Sequence, residues 1–388
     1  MPTPTVCSQP TATIASQSDA NALSSCRTVS GSILVTNAGA GSITIDGPET
    51  INGDLVCENA GQLTTLGSSS IGNIAGKFNL NNLTLLSTLS FTELTSVGSI
   101  SFVALPALSS LTFPSTVSQA KTLEISNTFL SSLDGINLQT AASVDINNNN
   151  RLKTFSTQIV NITSLLNVDS NGQQLDVQFP NLEKAANLTL RKVQSVTFPS
   201  LNTVTGSLAI VESFLTSISA PNLTTVGITD VGSGGLAIDQ NNALTNISIP
   251  ILKKVGGAVQ IANNTALRNI SFPALADVGG AIDFSGNFST PQLPALNNVA
   301  GGFNMQSQQD IDCSGFQKEH DQNIIQGKYT CSTTSNPHSG LSGSSGTGTA
   351  TGSSSTATGS KGAAVSYGVS AQAVVGLSVV GGFLQMLL

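Results

Sequence analysis

The sequence predicts a mainly β fold: a parallel β-solenoid of about 13 turns, closed at each end by a disulfide-linked cap and followed by a Ser/Thr-rich C-terminal stalk that does not fold. Three observations predict it. A five-residue word (small, any, apolar, any, apolar) recurs along the 388-residue chain. Its copies are spaced 20 to 28 residues apart, most of them 21 to 23. Composition then changes abruptly after Cys331.

The word reads GSILV from Gly31, GDLVC from Gly53, GKFNL from Gly76 and GSISF from Gly98. Later copies include GSLAI from Gly206, GAVQI from Gly257 and GAIDF from Gly280, with degenerate copies KTLEI, ASVDI, SLLNV and ANLTL between them. The first apolar column is Ile33, Leu55, Phe78, Ile100, Leu123, Val144, Leu166, Leu188, Leu208, Leu236, Val259, Ile282 and Phe303. The second, two residues on, is Val35, Cys57, Leu80, Phe102, Ile125, Ile146, Val168, Leu190, Ile210, Ile238, Ile261, Phe284 and Met305. A period of two within the word is that of a strand with one buried face. A period near 22 returns each strand beside the last, so the strands run parallel. Twelve intervals at the ~4.8 Å strand spacing give a rod of roughly 58 Å.

The rest of each repeat fits a coil. Asn59, Asn82, Asn127, Asn148 and Asn263 each lie two residues past the second column. Asn tolerates left-handed turn geometry, so these positions read as corners. A stack of such corners would also satisfy backbone groups that the coil leaves unpaired. A second apolar stretch follows, then Pro114, Pro180, Pro199, Pro221, Pro250, Pro273 or Pro294. Proline cannot donate to a ladder and marks a bend. The longest interval contains an insertion around Asp230–Gly235, which reads as a loop on one face.

An open solenoid needs capped ends. Residues 14 to 26, IASQSDANALSSC, read as a short helix with Ile14, Ala22 and Leu23 covering the first turn. Residues 306–331 lose the repeat and form the second cap. The cysteines stand at 7, 26, 57, 313 and 331. Cys7 and Cys26 flank one cap, and Cys313 and Cys331 the other. Cys57 sits in the buried column, where a small hydrophobe belongs. This gives two capping disulfides and a buried free thiol, with Cys26–Cys57 as a rival pairing that spacing leaves open.

From Ser332 to Gly362, 17 of 31 residues are Ser or Thr and seven are Gly. Such a stretch cannot bury enough apolar surface to fold. Its span without modification is about 30 Å. Gly362-Ala-Ala, a polar spacer and the apolar end VVGLSVVGGFLQMLL form a GPI-attachment signal. Gly362 is the expected attachment residue, with Ser360 and Ala363 as close rivals. The opening MPTPTVCSQPT has neither the basic start nor the apolar core of a secretory leader, so a leader is expected upstream of Cys7. The expected organisation is therefore cap 1–26, array 27–305, cap 306–331, stalk 332–362 and a GPI signal propeptide over 363–388.

Only 9% of residues are charged, against roughly 25% in ordinary soluble domains, and the net charge is -7. That argues against nucleic-acid binding, which needs a basic face. Sequons at Asn82, Asn161, Asn187, Asn222, Asn246, Asn263, Asn269 and Asn287 offer glycans as the source of solubility. Asn187 and Asn263 flank predicted strands and are weaker candidates. The two histidines, His320 and His338, fall in the cap and the stalk, where they read as solvated surface residues. No cofactor or metal is expected.

The one enzymatic pattern is a pair of carboxylates on neighbouring turns, Glu124 and Asp145, with Asp169 near the next. Two carboxylates roughly 5 Å apart would suit a retaining glycosidase. Polar ladders also stack such residues without catalysis, and Asn-Thr-Asp and Gly-His-Gly words are absent from the sequence. The outward column runs Asn79, Ser101, Glu124, Asp145, Asn167, Thr189, Ala209, Ala237, Gln260 and Asp283. These short side chains provide no aromatic platform for a sugar.

The segments SQSDANALSSCRTVSGSI, INGDLVCENAGQLTTL, NNLTLLSTLSFTELTSVGSI, GKYTCS and SKGAA resemble the fungal GPI-anchored proteins of cell-wall organisation, whose repeats are of the receptor L-domain type. The likeness covers nearly the whole chain from Cys7. It favours the Cys7–Cys26 pair, since receptor L-domains begin with two cysteines around a short helix. It implies a non-enzymatic glycoprotein on the outer plasma-membrane leaflet or linked to wall glucan, supporting wall integrity and morphogenesis.

Overall fold

All thirteen words form strands, and each strand pairs in parallel with the next. The computed structural model describes residues 5–36, 41–227 and 234–340. Among the described residues the ladder contains two rungs more than the words predict, fifteen in all. Thr11–Ile14 pairs in front of Ser32–Val35, and Tyr329–Thr333 behind Phe303–Ser307. The first apolar column therefore runs in register from Ala12 to Tyr329 and the second from Ile14 to Cys331. From Ile33 to Phe303 and from Val35 to Met305 every member is buried. The ladder thus encloses one continuous apolar interior.

The small residue that opens each word has a steric cause. A Cβ on Gly98 would lie 2.6 Å from the carbonyl oxygen of Gly76, and one on Gly76 the same distance from that of Gly53. Neighbouring turns approach too closely there for a side chain. Opposite the main sheet, short strands at Ser42–Thr44, Thr65–Ser68 and Thr88–Phe91 form a second small ladder. Thr154–Ser156, Asp176–Gln178 and Ser195–Thr197 form a third, and Ser217–Ser219 with Asn246–Ser248 a fourth. Pro180, Pro199, Pro221 and Pro250 each begin the bend just after one of these strands. Phenylalanines pack within and between turns: Phe78 meets Phe91 of its own turn at 4.9 Å and Phe102 of the next at 5.1 Å, both edge to face. Such pairs add to burial through ring-edge electrostatics.

The corners are left-handed. Asn59, Asn82, Asn127, Asn148 and Asn263 have φ between 53° and 57°, and Ala104, Ser170, Lys192, Glu212 and Gln240 take the same geometry on other turns. These corner side chains do not supply the internal bonding expected of them. That falls to the next residue, which points inward. Asn149, Asn171, Asn241 and Asn264 are all buried. Their Nδ2 groups donate to the carbonyls of Ile125, Ile146, Ile210 and Ile238 respectively, at 2.8–3.0 Å.

At the N-terminal end the helix is shorter than expected. α1 covers Gln17–Asn21, with Ser16 as its N-cap in a capping box with Asp19. Ile14 is in the first strand rather than in a helix, and Ala20 and Leu23, not Ala22, face the interior. Cys7 and Cys26 are bonded, with Cα atoms 5.5 Å apart, and Cys57 is free and buried. At the other end α2 spans Ser314–Asp321, and Cys313 is bonded to Cys331 across 5.9 Å. The boundary drawn at residues 331 and 332 falls inside the last strand, and the chain remains packed as far as Gly340. His320 is half-buried rather than fully solvated: its ring meets Tyr329 edge-on at 5.1 Å. The rest of the expected stalk, the attachment residues Gly362, Ser360 and Ala363, and most of the Asp230–Gly235 insertion lie outside the described residues.

Candidate functional site

The outward face of the main sheet is the broadest candidate surface, and its side chains are placed by the register of the ladder. Glu124 stands directly beside Asp145, and Asp145 beside Asn167. Neither carboxylate is left to itself. Ser101 Oγ donates to Glu124 Oε2 at 2.8 Å. Asp145 Oδ1 accepts from Asn147 Nδ2 at 2.9 Å and from Asn167 Nδ2 at 2.8 Å. Asp169 is buried in the next outward column, where Ser170 Oγ donates to it at 2.8 Å and Arg191 Nη1 lies 4.0 Å away. Arg191 Nη2 also donates to both oxygens of Glu212 at 2.7 Å. Polar side chains on this face thus tie one turn to the next. Asn79 Nδ2, donating to Glu58 Oε1 at 2.5 Å, extends the same pattern toward the N-terminus.

Toward the C-terminus the face is covered. Residues 334–340 fold back from the last strand across three preceding rungs, although their composition reads as stalk. The Thr334 amide donates to Ser307 O at 2.8 Å, and the His338 amide to Gln306 Oε1 at 3.3 Å. Asn304 Nδ2 donates to His338 O at 3.1 Å. Asp283, 1% exposed, receives Asn304 Nδ2 at 2.6 Å, the Gly340 amide at 3.2 Å and a short bond from Ser339 Oγ. Gln260 Nε2 donates to Ser339 Oγ at 3.0 Å. The last two members of the expected outward column, Gln260 and Asp283, are therefore beneath a strap rather than open.

The eight sequons fall in different settings. Asn82, Asn161, Asn222, Asn246, Asn263 and Asn269 are exposed. Asn187 is half-buried within the strand Lys184–Arg191, and its Oδ1 accepts the Ser207 amide at 3.1 Å. Asn287 is also half-buried, its Oδ1 accepting from Gln309 Nε2 at 2.5 Å. Among the described residues no three His, Cys, Asp or Glu side chains gather to hold a metal ion. Burial pushes the Cys57 thiol up to about 12, with the neighbouring Glu58 carboxylate adding to the shift.

Comparison with known proteins gives a consistent result. The chain is 40% identical over 344 residues to Protein ecm33 of Aspergillus fumigatus, covering 88% of this chain and 85% of that protein. It is 38% identical over 321 residues to a cell surface GPI-anchored protein of Arthroderma benhamiae, covering 82% and 81%. To the cell wall protein ecm33 of Schizosaccharomyces pombe it is 29% identical over 330 residues, covering 84% and 76%. No family model matches the chain, and no solved structure does. Identity of this order over most of both chains means that the protein belongs to the Ecm33 family of fungal cell-wall and GPI-anchored cell-surface proteins.

Proposed function

We infer that the protein is a non-enzymatic, GPI-anchored glycoprotein that supports the organisation, integrity and morphogenesis of the fungal wall as a rigid surface scaffold. The observation that carries this reading is the use made of the outward face. Its carboxylates, amides and hydroxyls are engaged between turns, as Ser101 with Glu124 and Asn167 with Asp145 illustrate. A catalytic pair needs a proton donor and a base free to meet a substrate. Side chains engaged this way stiffen a rod instead. Exposed sequons such as Asn246 and Asn269 would carry glycans that hydrate a surface poor in charge.

In this reading the anchor replaces residues after Gly362, Ser360 or Ala363 and holds the protein at the outer leaflet, or leaves a remnant through which it is linked to wall glucan. Phosphatidylinositol-specific phospholipase C should release the membrane-held fraction. Mature protein still carrying residues 375–388 by mass analysis would overturn the anchor. A second reading, a carbohydrate-active enzyme, draws on the adjacency of Glu124 and Asp145. Replacing both with Ala decides between them: wall-glucan turnover by the parent protein that disappears in a normally folded, normally displayed variant would establish the enzyme.

A further inference from the structure

Two phenylalanines occupy the same place on different turns. Phe129 lies four residues past Ile125, and Phe214 four past Ile210. They are 41% and 40% exposed, whereas most of the other phenylalanines are buried. Over Phe129 the guanidinium of Arg151 sits 4.3 Å from the ring centroid. Arg151 comes from the next turn, five residues past Ile146, the register partner of Ile125. A cation there meets the negative face of the ring. The equivalent position beside Phe214 is Ala243, five residues past Ile238, the partner of Ile210. It supplies a methyl group where the other turn supplies a cap.

The preceding turn widens the opening. From the second buried column to the middle of the far-side strand takes nine residues at Val168–Val177 and nine at Ile238–Ile247, but six at Leu190–Val196. This short corner leaves a step in the surface. A cleft of about 460 Å³ opens there, bordered by Lys192, Glu212, Phe214, Gln240, Asn242 and Ala243. The volume is within the about 300–1,000 Å³ of small-ligand sites.

The chemistry of the border selects a ligand class. Both oxygens of Glu212 accept from Arg191 Nη2, so it asks for no cation. Gln240 uses its Nε2 on Asp239 and Asn242 its Oδ1 on Thr265. Among the described residues Gln240 Oε1 and Asn242 Nδ2 have no partner, which leaves one acceptor and one donor at the edge of an apolar ring. A flat ligand with C–H groups on its face and hydroxyls on its rim satisfies all three: the C–H groups complement the negative ring face, and the hydroxyls both donate and accept.

We propose that this notch binds one pyranose ring of a glycan, stacked on Phe214 and hydrogen-bonded by Gln240 and Asn242. The site stands on its own geometry and rests on the wall-surface reading only for the choice of probes. The test titrates the full chain, stripped of its N-glycans by an endoglycosidase, with laminarihexaose, mannohexaose and chitohexaose, followed by calorimetry and ligand-observed NMR. At least one probe binds saturably. Phe214→Ala and Ala243→Arg, the latter copying the Arg151 cap, each weaken it at least tenfold with an unchanged melting temperature, and Phe129→Ala leaves it unaltered. The proposal fails if none of the three probes binds, or if a folded Ala243→Arg variant binds as the parent does. Phospholipase release is unaffected by either result, so the two readings fail separately.

Discussion

The backbone amide and the Nδ2 of Asn149 both donate to Asn171 Oδ1, each at 3.0 Å. One side-chain oxygen thus holds two donors of the turn before it. The pattern repeats downward, where Asn149 Oδ1 accepts the Thr128 amide at 3.1 Å and its hydroxyl at 2.6 Å. It recurs further along, where the Asn241 amide donates to Asn264 Oδ1 at 2.9 Å. Each buried corner of the coil would otherwise leave backbone groups without water or partner, a loss of about 1–3 kcal/mol per group.

Asn149→Ala removes the partner of the Thr128 amide and of the Ile125 carbonyl together. The expected loss is about 2–6 kcal/mol, from two orphaned groups. Its exposed neighbour Asn148, at φ 57°, is the control. Asn148→Ala asks Ala to adopt a left-handed conformation and should cost about 1–2 kcal/mol. Denaturant melts of both variants check the order, and equal losses would mean that the inward asparagines are not the ones supporting the corners.

The two caps should respond alike to removal of their disulfides. Cys7–Cys26 closes a separation of 19 residues and Cys313–Cys331 one of 18. A loop of this length restricts the unfolded chain by about 3 kcal/mol. Paired Cys→Ala substitutions at either end should lower the melting temperature, while the far end keeps its protection in hydrogen exchange. If removing one pair left stability unchanged, that cap would be held by its apolar contacts.

Cys57 should not react with a thiol reagent in the native protein at pH 8. Its side chain is fully buried between turns, and its thiol is pushed up to about 12 from 9.0. Because the folded value is the higher one, the stability linked to this group is complete below about pH 9 and is lost as pH rises from there to about 12. Stoichiometric labelling appearing only with unfolding, followed by mass, checks the burial. A melting temperature that holds steady across that pH window in the parent, but not in Cys57→Ala, would contradict the linkage.

The thirteen words were legible because a strand with one dry face imposes a period of two, and both columns stand where the sequence puts them. The outer rungs were not. Ala12 is too small to look like a column residue, and Tyr329 comes 26 residues after Phe303, with α2 between. The inward asparagines sit beside the outward ones, as in Asn148-Asn149 and Asn263-Asn264, so residue type alone does not distinguish the two positions. Their signal is a fixed offset: Thr128, Asn149, Asn171, Ser213, Asn241 and Asn264 each lie three residues past the second column. The strap had no such signal. It binds through backbone amides, two carbonyls and one serine hydroxyl, groups any Ser/Thr/Gly-rich segment possesses. The adjacency of Glu124 and Asp145 could be read from the period, but the bonds that occupy them could not. The notch at Phe214 depends on a corner being short, which becomes visible once the turns are aligned.

Because the chain crosses back over its own sheet before continuing past Gly340, tension transmitted through the tail enters the molecule away from its tip. Its first resistance is the clasp on Asp283, with Gln260 and Asn304, rather than the bond between Cys313 and Cys331. A tug would detach a short ribbon of hydrogen bonds and lengthen the leash, sparing the dry interior from mechanical load.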